Sequence, residues 1–148
     1  MPPGPPTFTK HEADTAVGRI VEVKSRKLSK PVGVFSQAIK VDRPSAFVFV
    51  SGLTARATDG SVVGEGDIRV QTETVLELLK AILQEAGGGL ADVVKVTVYL
   101  RNMAHFKEVH EVRGRYFSQP YPASTMVEVS RLVEPGHLIE IEAVAVLG

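Results

Sequence analysis

The chain has 148 residues, 44% of them hydrophobic, with 17 Lys plus Arg balanced by 17 Asp plus Glu. That is the size of one domain with a real core, and zero formal charge leaves no basic footprint for nucleic acid. The absence of cysteine excludes disulfides, thiolate metal sites and cysteine nucleophiles.

Residues 1–16, opening Met1-Pro2-Pro3-Gly4-Pro5-Pro6, are expected to be extended or disordered, and 17–148 to form a single domain. This start lacks the basic and apolar regions of a signal peptide. No apolar run reaches the roughly 18 to 20 residues of a membrane helix, so the expectation is a cytoplasmic protein without a membrane partner. A strand pattern begins at Val17 and continues through Ile20, Val21 and Val23. Ser29 to Gly33 reads as a loop, and Val34 to Val41 as a second short strand. Phe47-Val48-Phe49-Val50 is dense in β-branched and aromatic residues and reads as a buried strand, ended by Ser51-Gly52. Asp59-Gly60 predicts a hairpin between Leu53–Ala57 and Ser61–Val63.

Asp67 is a candidate N-cap for a long helix. Val75, Leu79, Ile82 and Ala86 would share one face with Leu76 and Leu83 beside them, until Gly87-Gly88-Gly89 stops the helix. Val93 to Leu100 alternates as a strand, with Val94, Val96 and Val98 on one side. Asn102 can cap a second helix whose stripe is Phe106, Val109, Val112 and Tyr116, broken by Gln119-Pro120-Tyr121-Pro122. Two closing strands follow, one through Val129 and one from Leu138 to Val146, joined by a turn around Glu134-Pro135-Gly136. The predicted order is β-β-β-β-α-β-α-β-β. It implies an α+β layer: one mixed sheet with two helices on one face. Val127, Val129, Ile141 and Ala143 are too apolar for a wet outer face, so self-association is expected to cover it.

Several blocks resemble the Rid/YjgF family of reactive-intermediate deaminases. They are Gly33-Val34-Phe35-Ser36-Gln37-Ala38, Phe49-Val50-Ser51-Gly52, Gly66-Asp67-Ile68 with Gln71-Thr72, Asp92 to Leu100, Pro122-Ala123 with Val127-Glu128-Val129, and Ile139-Glu140-Ile141-Glu142-Ala143-Val144-Ala145. The blocks stand in the family's order from about Pro31 to the end. The resemblance implies a chorismate-mutase-like fold and a homotrimer with ligand clefts between subunits. It also implies hydrolysis of an enamine or imine to a keto acid and ammonia, with no metal or organic cofactor. Some members were first described as ribonucleases, which the neutral charge here disfavours.

Three positions depart from the pattern. The family's carboxylate-clamping arginine after Pro-Ala is Ser124, the tyrosine before Ser-Gln-Ala is Phe35, and the usual asparagine of the second helix is His110. A serine hydroxyl offers one neutral hydrogen bond in place of a bidentate ionic contact. The departures leave two alternatives open: a non-catalytic small-molecule-binding homotrimer, or a specificity like that of 2-aminomuconate deaminase for a larger dicarboxylate.

By resemblance, Glu140 is the catalytic candidate, positioning the attacking water; a strand-end glutamate in solvent is the plainer alternative. Ser124, Phe35, Ser51, Gly52 and His110 are the substrate-binding candidates. Arg56 could supply the missing positive charge, as could Arg101, Arg113 or Arg115, although single arginines are normally solvated. Phe49 and Phe117 read as core. No His, Asp or Glu spacing suggests a metal site.

Overall fold

The computed structural model describes residues 19–148; the extended segment expected over 1–16, and Val17, lie outside them. Strand β1 (Arg19–Val23) pairs antiparallel with β2 (Ala38–Asp42) as a separate two-stranded ribbon. The remaining elements are β3 (Ala46–Leu53), α1 (Ile68–Glu85), β4 (Val93–Leu100), α2 (Phe106–Tyr116), β5 (Ala123–Glu128) and β6 (Ile139–Leu147). They form a four-stranded sheet in the order β3-β6-β4-β5, parallel between β4 and β5 and antiparallel elsewhere.

The fold is α+β as expected, with two differences in detail. The ribbon is not continuous with the mixed sheet, and the Asp59-Gly60 hairpin contributes no strand. It is a turn held by Ala57 N–H on Ser61 O (2.9 Å), Gly60 N–H on Ala57 O (2.9 Å) and Val63 N–H on Ala55 O (2.8 Å), with one bridge between Arg56 and Val62. Its arms are too short for a ladder.

Asp67 caps α1 as its side-chain type predicts, accepting from Arg69 N–H (3.0 Å) and Val70 N–H (3.1 Å), a contact that stabilises a helix by about 1 kcal/mol. The buried stripe is Ile68, Gln71, Thr72, Val75, Leu76, Leu79 and Leu83, while Ile82 is exposed, against expectation. In β4 a register shift between Val93 and Lys95 interrupts the alternation. Val93 is therefore buried with Val96, Val98 and Leu100, and Val94 is only half-buried.

Both helices cover one face of the sheet. Val50, Val96, Val98, Leu100, Ile139, Ile141 and Ala143 share one core with Val75 and Leu79 of α1 and Val109 and Val112 of α2. Ile141 and Ala143 thus face the helices and not the outer surface. The outer face carries Phe49 of β3, Tyr99 of β4 and Glu140, Glu142 and Val144 of β6, as their pairing places them. Phe49 was expected in the core but is 77% exposed, and its ring stacks on exposed Phe47 at 6.2 Å between centroids. The dense apolar run is an edge strand whose alternate side chains leave the core. Among the described residues, no helix is long and apolar enough to cross a membrane.

Candidate functional site

The sequence-predicted residues fall into two clusters. The first is built on β6. Alternation puts Glu140 and Glu142 on the outer face, two residues apart, and Glu140 stands directly across from Tyr99. Tyr99 Oη donates to Glu142 Oε1 at 2.7 Å. That bond, then burial and the neighbouring carboxylate charges, raise the phenol's pKa. Glu140 is half-buried and accepts no hydrogen bond from any described residue. Its carboxylate occupies the space a side chain at position 52 would need: a Cβ on Gly52 would stand 1.9 Å from Glu140 Oε1. Gly52, Tyr99, Glu140 and Glu142 line a cleft of about 510 Å³ together with Arg131 and Val133. Ser51 is exposed beside Gly52 and is not part of this lining.

The segment entering β6 is held from α1. Gln71, fully buried, donates from Nε2 to Gly136 O (2.8 Å) and accepts from Leu138 N–H at Oε1 (2.8 Å). One amide side chain thereby satisfies two backbone groups next to the strand that carries Glu140. Gln71 was recognised only as part of a motif, because a polar residue in an apolar stripe has no periodic signature.

The second cluster gathers Ser124 and His110 around a residue that had been read as a surface arginine. Arg113 is 1% exposed. Its Nη2 donates to Ser124 Oγ (3.0 Å) and to Val34 O (3.3 Å), and its Nε and Nη1 are buried without partners. Burial lowers its pKa to about 10, so it stays charged at neutral pH. The positional signal was present: residue 113 lies four after Val109 and three before Tyr116, on the inward stripe.

His110 Nε2 accepts from Val34 N–H at 3.2 Å, and the ring stacks on Phe106 at 4.5 Å. Burial, followed by the Arg113 charge, lowers its pKa and favours the neutral form. Gly33 makes this approach possible: its φ is +148° and a Cβ there would fall 1.9 Å from His110 Nε2. Ser36 Oγ donates to Tyr121 O, and Ser36 N–H bonds Pro122 O at 3.1 Å, so the loop carrying Phe35 is pinned to the start of β5. Phe35, Gln37, Lys95, Ser124 and Thr125 line a cleft of about 380 Å³.

Arg56 joins neither cluster. It pairs with Glu134 at 2.7 Å and donates to Gly60 O at 3.3 Å. Among the described residues, no group of three or more His, Asp or Glu side chains is placed to hold a metal ion.

The family model described as Endoribonuclease L-PSP matches residues 26–147. A RutC family protein of Pyrococcus abyssi is 47% identical over 121 residues, 82% of this chain and 92% of its own length. The 3-aminoacrylate deaminase RutC of Acinetobacter baylyi is 39% identical over 115 residues, 78% of this chain and 88% of its own. A solved structure of YyfB from Yersinia pestis, a Rid-family protein of unknown function, superposes with a TM-score of 0.79 at 30% identity, covering 86% of this chain and 98% of that one. A family match across most of the chain, relatives of this similarity and the shared architecture together establish that the chain belongs to the Rid/YjgF family.

Proposed function

We propose that this protein hydrolyses a small carboxylated enamine or imine to a keto acid and ammonia. The observation that carries the reading is Glu140: a half-buried carboxylate in a cleft wall, with no hydrogen-bond partner among the described residues. A carboxylate left open in this way is a ready acceptor for a water proton. Water held there adds to the imine carbon, forming a C–O bond, while the nitrogen takes up a proton. Collapse of that adduct breaks the C–N bond, releasing ammonia and leaving a carbonyl. The deaminase name of the Acinetobacter relative supports the reaction class.

In one chain Glu140 and Ser124 line different clefts. The reading therefore includes a homotrimer, in which a second copy covers the outer sheet face and completes the site. The exposed Phe47 and Phe49 support this, because apolar surface of that kind favours association. The even charge balance argues against a nucleic-acid substrate.

The test is to generate 2-iminopropanoate in situ and follow pyruvate release. Release faster than the buffer blank is expected. A rate equal to the blank would instead favour a non-catalytic binding protein, the alternative to which Ser124 in place of the family arginine points.

A further inference from the structure

Val34 is gripped from α2 at both of its backbone groups. His110 Nε2 accepts from Val34 N–H at 3.2 Å, and Arg113 Nη2 donates to Val34 O at 3.3 Å. Residues three apart share a helix face, so one face of α2 closes on one residue of the loop. Ser36 is fixed independently: its Oγ bonds Tyr121 O and its N–H bonds Pro122 O. Phe35 lies between these two anchors and lines two clefts, of about 420 and 380 Å³.

The two grips on Val34 differ in what they require. A guanidinium donates at any ordinary pH, whereas an imidazole accepts only while neutral, because both nitrogens of the charged ring are donors. A charged His110 would aim Nε2–H at the Val34 N–H. Its Nδ1 is buried with no partner among the described residues, so no acceptor offsets that clash. Arg113 is the charged group acting on the ring, and it too disfavours a proton there. The other groups against the ring are Gly33 and Val34 of the loop and Phe106 at the start of α2, none of them ionisable. Behind Arg113, β5 contributes the neutral Ser124.

We propose that His110 and Arg113 form a pH-sensitive clasp on the Phe35 loop: neutral His110 holds Val34 and keeps Phe35 in the clefts, and protonation of His110 releases Val34 N–H and frees Phe35. The clasp is closed at neutral pH and opens as the medium turns acid, the direction expected of a histidine that accepts a hydrogen bond. Only the consequence of opening for catalysis rests on the deaminase reading; the clasp itself stands on the Val34 contacts.

Amide exchange of the ¹⁵N-labelled full chain tests this, with each rate corrected for the intrinsic pH dependence of exchange. The pH is lowered from 7.5 until the His110 Cε1–H signal reports the charged ring. Val34 protection should fall about tenfold, the weight of one hydrogen bond, and the Phe35 ring signals should move with the same midpoint. Leu138 N–H, held by the non-titrating Gln71, should keep its protection and so report an intact fold. His110→Phe should leave Val34 unprotected already at pH 7.5. Because that variant could misfold, the wild-type titration decides. Val34 protection unchanged across the ring's titration, or a ring still neutral at the onset of acid unfolding, would overturn the proposal. A clasp that opens in a chain without imine hydrolysis at pH 7.5 would sink the deaminase reading alone. Hydrolysis with Val34 protection indifferent to pH would sink the clasp alone.

Discussion

Gly52 and Glu140 compete for the same volume, and the absence of a side chain at position 52 is what lets the carboxylate lie there. Gly52→Ala should push Glu140 aside, because the carboxylate is the movable partner. The expected result is a loss of turnover out of proportion to any fall in melting temperature, measured side by side. His110 makes a pH-dependent prediction. Its folded pKa lies below the ordinary 6.5, because burial and Arg113 disfavour the charged ring, and neutral Nε2 accepts from Val34 N–H. A lowered histidine pKa stabilises the fold fully above the unfolded value. That contribution is lost as pH falls from about 6.5 through the folded value. Urea midpoints at pH 7.5 and 5.0 should therefore differ more in wild type than in His110→Asn. Ser124→Arg alone should not improve substrate binding, since it sets a second guanidinium against Arg113, with which Ser124 is in contact; steady-state KM for 2-iminopropanoate checks this.

At the scale of elements, α1 acts on the site through Gln71 and not through its apolar stripe. Gln71→Leu would leave Gly136 O and Leu138 N–H unpaired in a half-buried setting, at about 2 kcal/mol for the two groups. Urea unfolding should report that loss, and β6 should be loosened at the end that carries Glu140. The helices were legible from the sequence because caps and 3.6-residue periods are local signals, as at Asp67 and along Val75, Leu79 and Leu83. The strand register was less so. The shift at Val93/Lys95 depends on pairing with β6, and Phe49 reads as core until its strand is known to be an edge. Of the candidate site, Glu140, Ser124, Phe35 and His110 were singled out through family resemblance. Arg113 was weighed only as one of three further donors, because a charged residue is presumed solvated, although it sits on the stripe of α2. Arg56 was favoured for its position, and its ion pair with Glu134 depends on a turn nearly 80 residues away.

The whole molecule has one sheet face sealed by helices and another carrying Phe47, Phe49 and the Glu140 cleft. On the trimeric reading these belong together: the apolar pair drives association and the association completes the site. Phe49→Glu should lower the mass in light scattering from a trimer's to a monomer's at micromolar concentration, and turnover should fall with it. A monomer mass for wild type would refute the arrangement. The central claim, however, concerns Glu140, and its most direct measurement is ammonia release from 2-iminopropanoate by matched wild type and Glu140→Gln. Wild type should exceed the buffer blank, and Glu140→Gln should lose about 10²-fold or more of that excess, as expected for removal of a general base. Equal rates in the two proteins would contradict the account.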